Sequence, residues 1–224
     1  MSAPVSHRFT IYTQTAPSAD IPIVIVPTFG DEGVKLWQAL LDINCPPCLL
    51  AAISIDNWEE TLSPWPAKKV FKDTADFGAG ADDFIDELVE RTLPDIKQNS
   101  GSDNPPCFIS GYSLAGLFAL YSLYHTDIFT RAASVSGSLW FPGFMEYAES
   151  HAMKSQPERI YLSLGDKECR TRNETMKSVG EKTESLYLYF QGQNINCIYE
   201  LNPGNHFQHP ESRLARGISW LLQE

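Results

Sequence analysis

The sequence predicts one α/β domain, a mostly parallel central sheet with helices on both faces. Three observations carry that expectation. After an alternating first strand, strand-like and helix-like segments follow one another in turn, the order of a parallel sheet with crossover helices. The segments "IPIVIVPTFG" and "CLLAAISI" are continuous apolar runs, as strands covered on both faces must be. The 224 residues contain no internal repeat, low-complexity tract or linker, so residues 1–224 fit one large domain.

The elements follow in order. "HRFTIYTQT" alternates and reads as a strand with one wet face. "IPIVIVPTFG" is a buried strand. "DEGVKLWQALLDI" is a helix with acids in its first turn and Val34, Leu36, Trp37, Leu40 and Leu41 at helical spacing. "CLLAAISI" is the next strand. Residues 56–78 contain two prolines and two tryptophans and show no period, which marks a long functional or mobile loop. "GADDFIDELVERTLPDI" is a helix with Phe84, Ile85, Leu88 and Val89 inward and a Glu87–Arg91 pair one turn apart. Then come a strand "CFISG", a helix from about Ser113 to His125, a strand "AASVSG" and a short helix "PGFMEYAES". The chain closes with strand "RIYLSLG", one helix "TRNETMKSVGEKTESLYLYFQG", strand "NCIYELN" and helix "PESRLARGISWLLQE".

Composition narrows the function classes. The formal charge is −11, and no basic run exceeds Lys68-Lys69, which argues against nucleic acid or an anionic membrane as partner. No window approaches the length of a membrane span. The start "MSAPVSHRFTIYTQ" lacks the basic-then-apolar order of a signal peptide, so a cytoplasmic location is the default expectation. Five scattered cysteines suit free thiols. Cys45 and Cys48 form a Cys-x-x-Cys pair, but it precedes a strand and encloses two prolines, and two further zinc ligands do not stand nearby. It reads as a connection.

The stretch "CFISGYSLAGLFAL" places a serine between glycines at a strand-to-helix turn. There Gly-x-Ser-x-Gly has a mechanical meaning. The sharp turn forces the serine into a strained conformation, and side chains two positions away would collide with backbone. Here the pattern is Gly111-Tyr112-Ser113-Leu114-Ala115, with Ala115 replacing the last glycine and Gly116 following. Ser113 is thus the candidate nucleophile; the plain alternative is a serine that caps the helix.

A serine needs a base, and an acid to orient that base, in the chain order Ser, acid, His. Of five histidines, His206 and His209 follow the last strand, in "LNPGNHFQHP". His206, in a Gly-Asn-His turn, is the candidate base; a metal pair His206/His209 lacks a third ligand nearby. The strand between serine and histidine ends "YLSLGDKECR" and offers Asp166 or Glu168 as the acid, and spacing does not choose between them. Two N–H groups must face the developing oxyanion. Leu114 supplies one. The loop "VPTFGDEG" supplies the other, from Phe29 first and Thr28 second, with Gly30 and Gly33 letting it bend close.

Assembled in this way, the residues resemble the α/β-hydrolase superfamily, and within it the esterase branch that includes esterase D, S-formylglutathione hydrolase, feruloyl and enterochelin esterases. The marks are "SGYSLAGLFALY", "SGSLWFPGF", "LGDKE" and "PGNHF", and the likeness runs from "IVIVPTFGDEG" to the closing helix. The resemblance implies a single α/β-hydrolase domain and a serine esterase working through an acyl-enzyme, with no metal or cofactor. In that branch the acid stands three residues after the glycine ending its strand, which favours Glu168 over Asp166, and "GNHF" supports His206. The oxyanion loop departs from the pattern: relatives often carry His-Gly or Asp-Gly where this chain has Pro27-Thr28. The branch includes acyltransferases, so transfer to an alcohol other than water is a second reading. A binding protein that kept the fold and lost activity is a third.

The gap from Gly137 to the helix at Pro142 is too short for a cap domain, so an open cleft is expected. Its walls should come from residues 56–78 and from "GSLWFPGF", with Trp58, Trp65 and Trp140 forming an apolar surface for an ester substrate. Trp140 is best placed, because its loop leaves a strand beside the serine strand.

Overall fold

Seven strands form one sheet in the order β1-β3-β2-β4-β5-β6-β7. The computed structural model describes residues 7–14, 21–70, 74–98, 104–171 and 173–223; the first residues of the chain, on which the signal-peptide expectation falls, lie outside the described residues. The strands are β1 (Phe9–Thr13), β2 (Ile23–Thr28), β3 (Leu49–Ser54), β4 (Cys107–Tyr112), β5 (Phe129–Val135), β6 (Arg159–Gly165) and β7 (Asn196–Asn202). β1 pairs antiparallel with β3, and every other pairing is parallel.

The continuous apolar runs have the predicted cause. All six residues of β2 are buried. Ile23 and Ile25 point into one core, Val24 and Val26 into another. The smaller core is closed by α1 (Glu32–Asp42) and by α9 (Pro210–Leu221) through Leu36, Leu40, Leu214, Ile218 and Leu221. Fully burying Ile218 or Leu221 contributes about 1.5–3 kcal/mol each. The larger core is covered by α3 (Ala81–Glu87), α4 (Leu93–Lys97), α5 (Leu114–Ser122), α6 (Phe144–Ser150) and α8 (Val179–Gly192).

Three details differ from the sequence expectation. The long loop holds one short helix, α2 (Trp58–Thr61), and an Ala67–Phe77 bridge. The helix over 81–97 passes through a π turn at Leu88–Thr92. Pro94 lies just beyond and has no N–H to give to an upstream carbonyl, so the wider turn absorbs the missing bond. The helix expected over "TRNETMKSVGEKTESLYLYFQG" breaks at Ser178 into α7 (Glu174–Lys177) and α8. The Ser178 hydroxyl donates to the Thr175 carbonyl at 2.7 Å and competes with the backbone ladder there.

β2 is flanked by β3 on one side and β4 on the other, so the chain reverses its direction of travel across the sheet at β2 and β4. Sites of open α/β sheets lie at the carboxyl ends beside such a reversal. Phe29 follows β2, Ser113 follows β4, Glu168 follows β6 and His206 follows β7. β5 ends at Val135 and α6 begins at Phe144, which leaves no room for a cap domain between them.

Candidate active site

Ser113 sits between β4 and α5 at φ 58° and ψ −121°, a conformation that L residues rarely adopt. The glycine ahead of it explains how the turn closes. A Cβ on Gly111 would lie 2.1 Å from the carbonyl oxygen of Ala115, so any side chain there collides with backbone. Ala115 therefore replaces glycine without harm, while the residue facing it does not. Gly116 is similarly crowded, with Gly111 O, Gly137 Cα and Ser134 Oγ all at 3.0 Å from a built Cβ. The Ser113 N–H donates to Val135 O at 3.1 Å and ties the turn to β5.

The strain presents the serine hydroxyl to a histidine 93 residues away. His206 Nε2 lies 3.0 Å from Ser113 Oγ, and His206 Nδ1 lies 2.8 Å from Glu168 Oε2. A carboxylate only accepts, so the Nδ1 proton points at Glu168 and the Nε2 lone pair faces the serine. Burial alone would push the Glu168 carboxyl up. The hydrogen bond and charge of His206, the Gly165 N–H and the Ser136 hydroxyl outweigh it and hold the carboxyl below its ordinary value. Glu168 is thus an ionised carboxylate in a largely dry place.

Spacing left two acids open and the resemblance favoured Glu168; the fold separates them. Asp166 Oδ1 accepts the Gly204 N–H at 2.7 Å and shapes the histidine loop from the outside. Glu168 Oε1 accepts from Ser136 Oγ at 2.7 Å, Gly165 N at 2.6 Å and Arg213 at 3.1 Å, while its Oε2 meets the imidazole. Arg213, Ser136 and Tyr112 complete this network and were not singled out from sequence. The buried Arg213 also donates to Pro203 O at 2.8 Å. Its signal was an arginine one helical turn before Gly217, on the face of α9 that Ile218 and Leu221 continue. The Tyr112 hydroxyl donates to the His206 carbonyl at 2.6 Å, and burial pushes its phenol pKa up, so it stays a donor.

Leu114 is the first residue of α5, where an N–H has no intrahelical acceptor. The Phe29 N–H is engaged: it donates to Glu32 Oε2 at 2.8 Å, while the Glu32 N–H donates back to Phe29 O at 3.2 Å. The two bonds close the turn from Phe29 to Glu32 that leads into α1. Desolvation beside the loop raises the Glu32 pKa, the Phe29 N–H opposes that, and the charge of Glu211 adds to it. Thr28 is buried, with its hydroxyl on Ile53 O.

A cleft of about 440 Å³ opens over the serine, lined by Phe29, Glu32, Trp58, Glu59, Tyr112, Ser113, His206, Phe207 and Pro210. Of the three tryptophans expected there, only Trp58 lines it, with its ring edge-to-face to Phe29 at 6.3 Å. Trp140 is 7% exposed and packs on Phe77 in the larger core. The reason is the Ser138 N–H, which donates to Ser113 O at 2.9 Å and pulls the loop after β5 under the serine turn, so that Trp140 enters the core. Trp65 donates its indole N–H to Pro142 O at 2.8 Å and packs among Tyr121, Phe141 and Tyr147, an anchor for the long loop. The walls are therefore the start of that loop, the loop after β2 and the histidine loop, and "GSLWFPGF" takes no part. Among the described residues no group of three or more His, Cys, Asp or Glu side chains is placed to hold a metal, and no helix is long and apolar enough to cross a membrane.

The chain is similar to known proteins. The family model described as "Putative esterase" matches residues 37–206. The uncharacterized protein YbbA of Bacillus subtilis is 24% identical, over 96% of this chain and 92% of its own length. An IroE-like serine hydrolase from Shewanella oneidensis superposes with a TM-score of 0.75 at 15% identity, covering 96% of this chain and 75% of that one. The siderophore hydrolase EstA from Aspergillus nidulans gives a TM-score of 0.72 at 16% identity, covering 96% of this chain and 89% of that one. At these identities the likeness to solved structures establishes the fold.

Proposed function

We propose that this chain, which belongs to the "Putative esterase" family and is a carboxylic ester hydrolase, cleaves its ester through an acyl-enzyme formed on Ser113. One observation carries the reading: the series Ser113 Oγ, His206, Glu168, joined at 3.0 and 2.8 Å at the floor of an open cleft. As the substrate carbonyl arrives, His206 Nε2 takes the serine proton and Oγ attacks. The imidazolium is held by the ionised Glu168. The negative charge that develops on the carbonyl oxygen is met by the Leu114 N–H at the start of α5. Phe29 is the second donor, which requires Glu32 to release its N–H. His206 then returns the proton to the leaving alkoxide. Water enters the open cleft, gives a proton to the same nitrogen and attacks the acyl carbon. The acyl–Oγ bond then breaks, His206 returns the proton to Ser113 Oγ, and the acid leaves.

The test is Ser113→Ala. Hydrolysis of short p-nitrophenyl esters should fall by about 10⁴-fold or more, and labelling by a fluorophosphonate should vanish. Unchanged hydrolysis by this variant would remove Ser113 from the mechanism.

A further inference from the structure

The cleft carries a charge pattern that the acyl-enzyme chemistry does not use. It holds Ser113 and His206, so whatever binds there is presented to the nucleophile. Two of its lining residues are acids, Glu32 and Glu59, and among the described residues no lysine or arginine lines it. The nearby cations are spoken for. Lys35 pairs with Asp31 at 2.9 Å, and Arg213 is buried behind the site on Glu168. Glu59 is half-buried, and its carboxylate has no hydrogen-bond or ion-pair partner among the described residues. Glu211 lies close enough to Glu32 to act on its charge and lines the adjoining recess with it. The rings of Trp58 and Phe29, edge-to-face at 6.3 Å, line the same cleft, as does Phe207, 75% exposed.

We propose that the cleft selects esters bearing a cationic group, an ammonium held between the carboxylates of Glu32 and Glu59 against the rings of Trp58 and Phe29. The proposal rests on the acyl-enzyme reading and deepens it. The chemistry is specific. An ammonium supplies the charge that two partly desolvated carboxylates lack, and indole and phenyl faces attract the same group through their quadrupoles. The fully aliphatic competitor gains the aromatic contact alone. A carboxylate-bearing ester meets repulsion from two sides, and the chain's net charge of −11 adds a long-range field of the same sign. The cleft volume of about 440 Å³ suits a small ester with such a side arm.

The experiment compares three p-nitrophenyl esters of similar length: hexanoate, ω-trimethylammonio-hexanoate and the adipate half-ester. The trimethylammonio group keeps its charge at every pH and cannot attack its own ester. The expected order of kcat/KM is cationic, neutral, anionic, with the cationic ester ahead of the neutral one by roughly tenfold at low salt and the gap closing as salt is added. In Glu32→Gln and in Glu59→Gln the cationic-to-neutral ratio should fall several-fold, chiefly through KM, and the double variant should erase it. Glutamine at 32 keeps an acceptor for the Phe29 N–H while removing the charge. Calorimetric titration of the cationic ester into Ser113→Ala reads the same preference without turnover, and that binding should weaken when Glu32 and Glu59 are both replaced. A ratio that survives the double substitution, or a preference for the adipate half-ester, overturns the proposal. If all three esters are cleaved in a Ser113-dependent way without a charge order, only this proposal falls. If cleavage is indifferent to Ser113, the acyl-enzyme reading falls instead.

Discussion

The guanidinium of Arg213 lies 3.1 Å from Glu168 Oε1, and the side chains of both are 4% exposed. A buried pair of this kind holds a carboxylate oxygen in place, and the other oxygen of the same group meets His206 at 2.8 Å. On the acyl-enzyme reading Arg213 is a positioning residue, one step behind the imidazole. Its second amine reaches Pro203 O and ties the histidine loop to α9.

Arg213→Met removes one partner and leaves Glu168 buried with fewer donors. Stability should fall by about 3–5 kcal/mol, the usual cost of breaking a buried pair. At a temperature where the variant is still folded, kcat should fall while KM changes little. Arg213→Lys should recover only part of both, because one ammonium cannot span Glu168 and Pro203 as the planar fork does. Denaturant melts and steady-state kinetics on the two variants check this.

Acid stability follows from Glu168. Its folded pKa is depressed, so its stabilising contribution is complete above the unfolded value of about 4.3 and is lost as pH falls through the lower folded value. Glu168→Gln cannot titrate. The difference in melting temperature between wild type and this variant should be constant above about pH 5 and shrink below it. A difference that grows on acidification would contradict the assignment.

Tyr112→Phe deletes the donor to the His206 carbonyl and leaves the ring in place. The cost in stability should be about 1 kcal/mol. Turnover should drop several-fold, because the loop that aims the imidazole loses one tether. Thermal melts and kcat measured together separate the two effects.

Two glycines should respond in opposite ways to alanine. Gly111→Ala places Cβ 2.1 Å from a backbone oxygen and should cost upward of about 3 kcal/mol, with loss of ester cleavage. Gly192 ends α8 with nothing within 4 Å of a built Cβ, so Gly192→Ala should be neutral or stabilising by about 0.5–1 kcal/mol. Chemical denaturation of both reads the contrast.

The thiols should divide one against four. Cys169 is exposed, while Cys45, Cys48, Cys107 and Cys197 are buried. Burial pushes the thiols of Cys45 to about 11 and of Cys48 and Cys197 to about 12, and raises Cys107. An aromatic disulfide reagent should label one thiol quickly in the native protein and all five after denaturation, and Cys169→Ser should remove the fast one.

The alternation of strands and helices was readable in the chain because periodicity is local. The apolar run of β2 and the spaced leucines of α1 each report their own surroundings within a few residues. The serine turn was readable for the same reason, since the clash that forbids a side chain at Gly111 is with Ala115, four residues on. Which acid faces His206 was not local. Asp166 and Glu168 are two residues apart in one turn. Spacing did not choose, the resemblance favoured Glu168, and the return of the chain from β7 puts Glu168 on the ring while Asp166 holds Gly204. Trp140 left the cleft because a Ser138–Ser113 hydrogen bond draws its loop inward, and Arg213 joined the site because α9 packs across β4, β5 and β6. Sequence therefore determined the elements and the serine turn, which depend on neighbours along the chain. Tertiary structure decided the partners, because hydrogen bonding and burial depend on distances between segments that share no local constraint.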